Sequence, residues 1–385
     1  MSSPVYLDYN ATTPIDPEVV REMIPYIESY FGNPSSSYSI GNKNQEAIEK
    51  ARRQVANLVN ASPEEITFTS GGTESNNHAI LGAAMANQEK GKHIITSSIE
   101  HPAVTNVCRH LALKGWDISW LPVDHTGRVG SKDVARSVRP DTVLVSIMHA
   151  NNEVGTIQAI EEISAITKQN KILFHTDAAQ SLGKLPTDVN ELGIDLLSIA
   201  GHKLYAPKGI GALYIKKGVS IENLIHGAEQ ENGIRPGTEN VGHIVALGKA
   251  CQIARRDFDR NRSHMHDMRL RLLEGLQSRL KNLKVHTPLD SSLPNTLSIA
   301  FEKVDAQALT SFIAGEVFIS TGSACHSGHT EISSVLKAMN IDLVAATNTV
   351  RISTGKYTTE KEIDIAIETI SRAVLQNSKL TFLKV

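Results

Sequence analysis

Three short stretches of this sequence carry residue types able to do chemistry together. In Ser198-Ile199-Ala200-Gly201-His202-Lys203 a lysine follows an apolar run that reads as a buried strand. An amine in that place is partly desolvated, which favours its neutral form and makes it a candidate for a Schiff base. A surface lysine after a strand is the ordinary alternative. In His175-Thr176-Asp177-Ala178-Ala179-Gln180, Asp177 closes another apolar run. Ligand sites of open α/β sheets lie at such strand ends, and an acid there can pair with a protonated ring nitrogen. The alternative is an N-cap for a following helix. In Thr69 to Asn77 a strand ends, Gly71 and Gly72 follow, and Thr73 opens a helical pattern. Glycines let a ligand approach the backbone, and a helix start offers free N–H groups to a phosphate; a plain capped helix remains the alternative. A phosphate turn, a strand-end Asp and a strand-end Lys, in that chain order, fit pyridoxal-phosphate chemistry, in which the acid keeps the ring protonated as an electron sink.

A second set could hold a substrate. Arg351, between Val350 and Ile352, offers a bidentate clamp for an α-carboxylate, unless it is an arginine facing solvent from an edge strand. Cys325 sits among small residues in Ser320 to His329, as in an exposed loop, with His326 and His329 close enough in sequence to lower its pKa or move protons. An inert thiol is the bland reading. One cysteine and two histidines are too few for a closed zinc site, so no metal is expected. Cys108 and Cys251 lie in helical patterns and read as packing residues.

The chain that must position these groups has 385 residues, 41% of them hydrophobic and 21% charged, which suits a globular enzyme of one large or two ordinary domains. A formal net charge of −2 gives no footprint for nucleic acid, and neither nucleic acid nor membrane is an expected partner. No apolar run is long enough to span a bilayer, and Met1 to Asp8 lacks the pattern of a secretory signal. Three scattered cysteines point to free thiols in a reducing compartment, so a cytoplasmic location is expected.

Short apolar runs at Ile66–Thr69, His93–Thr96, Thr142–Met148, Ile172–His175 and Leu196–Ile199 alternate with helical patterns such as Glu74–Asn87 and Ile160–Gln169. That alternation predicts an α/β fold with a mostly parallel sheet flanked by helices. Gly209–Ile215 reads as a further strand at an antiparallel edge, and Asn240–Leu283 as one long amphipathic helical stretch. Strand signals at Leu297–Phe301 and Val317–Ser320, then a helix over Thr359–Gln376, predict a smaller α+β domain. Residues 15–257 are expected to form the large domain. Residues 1–14 with 258–385 would form the small one, carrying a cysteine loop at about 320–333.

Nearly end to end the sequence resembles the class V aminotransferase-like cysteine desulfurases and the related selenocysteine lyases. The resemblance rests on YLDYNATTP (Tyr6–Pro14), FGNPSS (Phe31–Ser36), SGGTESNN (Ser70–Asn77), EHPAV (Glu100–Val104), NNEVG (Asn151–Gly155), HTDAAQ (His175–Gln180), GHKLYAPKG (Gly201–Gly209), RPGTEN (Arg235–Asn240), GSACHSG (Gly322–Gly328) and VRISTGKYTT (Val350–Thr359). It implies a fold-type I pyridoxal-phosphate enzyme acting as a homodimer. Lys203 would carry the cofactor and Asp177 would pair with its ring nitrogen. Gln180 would contact the ring oxygen, and His101 would stack on the ring and act as a catalytic residue that moves protons. Gly72, Thr73 and His202 would hold the phosphate, and Thr238 would reach the phosphate of the neighbouring subunit. Arg351, with Asn10 and Asn152, would hold the substrate carboxylate. One departure stands out: the position three before the lysine, commonly serine in the family, is Ala200, so one phosphate hydrogen bond is in question.

The chemistry implied is removal of sulfur or selenium from L-cysteine or L-selenocysteine. Freed Lys203 takes the α-proton, Cys325 takes the chalcogen as a persulfide, alanine leaves, and an acceptor protein or reductant discharges Cys325. Cysteine desulfurase, serving iron–sulfur clusters or thiolation, is the preferred reading. ACHSGH and RPGTEN look more like animal selenocysteine lyases, which keeps that activity as the alternative. A non-catalytic scaffold is disfavoured because Asp177, Lys203, Arg351 and Cys325 are all present.

Overall fold

Seven apolar segments pair into one sheet, in the spatial order Ile66–Thr69, Gly211–Ile215, Leu196–Ala200, Leu173–Asp177, Thr142–Ser146, His93–Ser97 and Asp117–Leu121. This is a computed structural model, and it describes residues 4–326 and 329–381, with side chains outside 323–331 and 378–381. The last five strands in that order run parallel to one another. Buried on both faces, Leu196–Ala200 and Thr142–Ser146 read as unbroken apolar runs, as parallel strands do.

Two expectations need correction. Gly211–Ile215 is antiparallel, yet it lies inside the sheet, between Ile66–Thr69 and Leu196–Ala200. All five of its residues are buried, which a partner on each side explains. A Cβ on Gly211 would stand 2.7 Å from the Cα of Gly71, so glycine there lets the Gly71–Gly72 turn pack onto the sheet. The long helical stretch is two helices, Val241–Arg256 and Phe258–Arg279, broken at Asp257. The first buries Ala246, Leu247 and Cys251 in the core of the large sheet. The second buries Leu272 and Leu276 in another core, so the chain must turn between them.

That second core lies on an antiparallel sheet ordered Ser320–Thr321, Thr349–Ser353, Thr296–Phe301 and Leu283–Val285, covered by helix Glu360–Thr381. Val5 and Leu7 join it, and Val5–Tyr6 pairs in parallel with Val317–Phe318. Val5–Leu7 therefore crosses to the last third of the chain. Helix Ser39–Val59 and strand Asp117–Leu121 gave no usable sequence signal: the first opens on polar residues, and the second is a half-exposed edge. Among the described residues no helix is long and apolar enough to cross a membrane.

Candidate active site

The parallel strands all end on one side, and the chemistry-bearing residues follow those ends. Lys203 lies just past Ala200, Asp177 ends its strand, and His101 follows Ser97. With Gly72, Thr73, Asn10, Asn152, Gln180, His202 and Arg351 they line one cavity of about 400 Å³, a size suited to a small cofactor with its substrate.

Asp177 is 5% exposed. Its carboxylate accepts from Asn76 Nδ2 at 2.7 Å and from Ala179 N at 2.9 Å. No helix follows before the next strand at Leu196, which removes the N-cap alternative. Both donors are neutral, and no ion pair involving Asp177 occurs among the described residues. A buried carboxylate without a cation needs one from what binds in the cavity.

Lys203 Nζ donates to the carbonyls of Asn10 at 2.5 Å and Ala11 at 2.7 Å. Burial, followed by the charge of Arg351, lowers its amine to about 8. The surface-lysine alternative therefore fails. Helix Gly72–Ala86 has no side-chain cap, and Gly71 before it has φ +150°, so its first N–H groups stay available to an anion. The departure at Ala200 is structural as well: a Cβ on Gly72 would meet the Ala200 Cβ at 3.1 Å. Residue 200 thus stands against the helix start with no hydroxyl to offer. His202 Nδ1 lies 3.1 Å from Thr12 Oγ1, and burial, aided by Lys203, lowers its ring to about 4, so it is neutral.

His101 caps helix Pro102–Leu113 by accepting Ala103 N at Nδ1, 3.1 Å away, which leaves Nε2 to carry the ring proton. Glu100, which lay within a recognised motif but was given no role there, accepts from Ser97 Oγ at 2.6 Å and from Met148 N at 3.0 Å. Burial raises that carboxyl to about 8.

Arg351 sits on an inner strand of the antiparallel sheet, its side chain 13% exposed, so the solvent-facing alternative fails. Its Nη2 donates to Asp8 Oδ1 at 2.7 Å and Ser320 Oγ at 3.1 Å, and Nη1 to the Asn152 carbonyl at 3.3 Å. Nε is buried without a hydrogen bond. Asn10 Nδ2 donates to the same Asn152 carbonyl at 3.1 Å and to Thr296 Oγ1 at 2.8 Å. Asp8, Asn76 and Lys184, which donates to Gln180 at 3.2 Å, are further site residues not singled out from sequence. Asp8 lay within a recognised motif, and Asn76 falls one helical turn after Gly72.

One expected residue, Thr238, is not in this cavity. Thr238 is exposed and lines a separate cavity of about 200 Å³ with Gly209, Arg235 and Asn240. The backbone of Cys325 lies in strand Ser323–His326, opposite Thr330 of His329–Ile332. Its side chain, with those of His326 and His329, lies outside the described residues, as do Ser327 and Gly328 altogether. Cys108 and Cys251 are free and buried. No group of three or more potential metal ligands occurs among the described residues.

The profile of the family described as Aminotransferase class-V matches residues 5–365. The chain belongs to the class-V aminotransferase family. A cysteine desulfurase IscS of Dictyoglomus turgidum is 45% identical over 375 residues, covering 97% of this chain and 95% of the relative. Among solved structures, a NifS-like protein superposes with a TM-score of 0.91 at 40% identity, covering 97% of this chain and 100% of the other. A solved SspA in complex with cysteine gives 0.82 at 38% identity, covering 92% and 99%. Class-V aminotransferases of this kind are pyridoxal-phosphate enzymes with the α/β architecture seen here. The uncompensated carboxylate, uncapped helix start and desolvated lysine of this member fit that cofactor.

Proposed function

We propose that this class-V enzyme is a cysteine desulfurase, releasing L-alanine from L-cysteine and retaining the sulfur as a persulfide on Cys325. The observation carrying the reading is Asp177, a buried carboxylate with two neutral donors across one cavity from Lys203. Relatives named cysteine desulfurase along nearly the whole chain support the substrate.

Bound pyridoxal phosphate supplies an electron sink for bonds at the substrate Cα. Asp177 would hold a proton on the ring nitrogen through its charge. The first N–H groups of helix Gly72–Ala86, the hydroxyl of Thr73 and neutral His202 would receive the phosphate, and Ala200 would contribute no hydroxyl. His101, with its proton on Nε2, would face the ring, and Gln180 would donate to the ring oxygen. Lys203 would anchor the cofactor and, when free, its desolvated amine, lowered to about 8, would take the substrate Cα proton. Arg351 receives the substrate carboxylate, with Asn10 and Asn152 beside it. The Cys325 thiolate then forms an S–S bond to the substrate sulfur as the C–S bond breaks, and the electron pair returns to carbon. A thiol or reductant of an acceptor removes the outer sulfur.

Residues 15–257 form the unit that holds the cofactor in this scheme, and residues 1–14 with 258–385 the unit that brings Arg351 and Cys325. The active species is a homodimer in which exposed Thr238 reaches the partner's phosphate. A cytoplasmic setting accords with the free thiols of Cys108 and Cys251.

The test is alanine release from L-cysteine and L-selenocysteine by the parent and by Cys325→Ala. The parent should turn over L-cysteine. The variant should keep its bound-cofactor absorbance, lose L-cysteine turnover and retain appreciable activity on L-selenocysteine, since selenium leaves without a protein nucleophile. Turnover of L-selenocysteine alone by the parent would instead identify a selenocysteine lyase, and turnover of neither would refute the proposal.

A further inference from the structure

Lys184 is a buried amine that the scheme above does not use. It is 6% exposed, and beside it Leu182, Leu204, Ala254 and Met265 line a small cavity shared with Lys203. Among the described residues its hydrogen bond goes to Gln180 Oε1, at 3.2 Å. The other end of that amide, Nε2, donates to the Asn10 carbonyl at 2.9 Å, and the same carbonyl accepts from Lys203 Nζ. A hydrogen-bond chain thus joins the two lysines through Gln180 and Asn10.

An amide can be flipped, exchanging its oxygen and nitrogen, and only its partners decide which way it sits. Flipping Gln180 would set its NH₂ against the protonated Lys184, donor to donor. It would also set its oxygen against the Asn10 carbonyl, acceptor to acceptor. Both ends would then leave buried polar groups unpaired, at the cost such groups carry. One N–H of Nε2 goes to Asn10, and the second is left for the cavity that Gln180 lines.

We propose that Lys184 is a positioning residue that locks the Gln180 amide with its nitrogen toward the cavity, so that Gln180 donates to, and never accepts from, the cofactor's ring oxygen. This rests on the functional reading above. Burial, then the charges of Lys203 and Arg351, brings the Lys184 amine to about 7. The ammonium only donates, whereas the neutral amine can also accept, so the lock is tightest while Lys184 keeps that proton and rests on the Asn10 carbonyl once it is lost.

Lys184→Met replaces the amine with an apolar chain of similar length. After the cofactor is dialysed out, pyridoxal phosphate is titrated back and its visible absorbance followed, alongside thermal unfolding of the stripped proteins. The variant should unfold at the parent's temperature or above, because a desolvated amine is gone. Its affinity for the cofactor should nonetheless fall about threefold to tenfold, the worth of one hydrogen bond. Gln180→Ala should lose as much, and the double variant no more than Gln180→Ala, since Lys184 acts only through Gln180. Should Lys184→Met fail to fold, Gln180→Glu carries the test. Its carboxylate pairs with Lys184 but offers no donor to the cavity or to the Asn10 carbonyl, so it should unfold below the parent's temperature and lose affinity as Gln180→Ala does. Parental affinity in Lys184→Met, additive losses in the double variant, or parental affinity in Gln180→Glu would overturn the lock. A flat titration of the parent itself would overturn the functional reading instead.

Discussion

Replacing Asp177 by Asn tests the cofactor site at the group that defines it. The substitution keeps the shape and one acceptor oxygen, which can still take the Ala179 N–H at 2.9 Å. It removes a charge that is 5% exposed and whose protein donors are both neutral. The new amide nitrogen replaces the oxygen facing Asn76, whose buried and unpaired Oδ1 can turn to accept from it, so the interaction lost is the one with the protonated ring nitrogen. Breaking a buried charge pair from one side costs about 3–5 kcal/mol. Because the ring must hold its proton as electron density arrives, that loss falls mainly on the transition state. The expected effect is a fall in kcat of roughly two to four orders of magnitude. Lys203 and the phosphate seat are untouched, so the variant should still take up pyridoxal phosphate under saturating conditions. The cofactor-free variant should be as stable as the parent or more so, having lost an unpaired buried charge. The assay is alanine formation from L-cysteine at full cofactor occupancy, read from absorbance, beside thermal unfolding of the stripped proteins. A variant carrying full cofactor and turning over within about fivefold of the parent, less than ~1 kcal/mol, would refute the placement of Asp177 at the ring nitrogen.

Two further outcomes follow from the geometry. The neutral amine is the form that reacts with an aldehyde, and Lys203 is lowered to about 8; the rate at which stripped protein captures pyridoxal phosphate should rise with pH from 6 and level off above 8 to 9, whereas a rise continuing past pH 10 in stopped-flow traces would mean the lysine is not desolvated. Thr238 lies outside the cavity of its own chain, so Thr238→Ala and Lys203→Ala chains, each impaired alone, should regain activity when unfolded and refolded together, because a mixed dimer contains one site with both residues intact; absence of recovery would place Thr238's action within its own subunit, or nowhere.

The site was legible in sequence where it is made of strand ends. Lys203, Asp177 and Gly72 each follow an apolar run, and a parallel sheet brings such ends together wherever they fall in the chain. What sequence did not reveal is pairing across distance. Asp8 holds Arg351 across 343 positions, and Asn76 holds Asp177 across 101; neither spacing has a period that could be read. Lys184 sits only four residues from Gln180, yet no helix joins them, so helical periodicity had nothing to detect. In the fold, antiparallel Gly211–Ile215 was recognisable as a strand, but its interior place depends on Ile66–Thr69, some 145 residues earlier, packing beside it. The break at Asp257 divides two apolar stripes that serve different cores, and a single amphipathic pattern conceals that division.

The amine and the carboxylate clamp belong to different sheets, so something must fix the distance between Lys203 and Arg351. The segment from Asp8 to Asp16 does this. The Asn10 carbonyl accepts from Lys203 and Gln180, and its N–H donates to Ser353 Oγ at 2.9 Å, two residues from Arg351 on the same strand. Asp8 bonds the guanidinium itself. Asp16 repeats the pattern a turn further on. Its N–H donates to the Tyr205 carbonyl at 3.0 Å, beside Lys203, and its carboxylate takes the Lys356 amine and, at 2.7 Å, the Tyr357 hydroxyl, just past the arginine strand. Asn10 and Asp16 each have one bond on the lysine side and another on the clamp side, and Asp8 ties the same segment to the guanidinium. A substrate held by its carboxylate at Arg351 therefore meets the Lys203 side of the cavity at a separation set by Asp8, Asn10 and Asp16. None of these three acts on the reacting bonds in the proposed scheme, but displacing any of them moves the amine and the clamp apart.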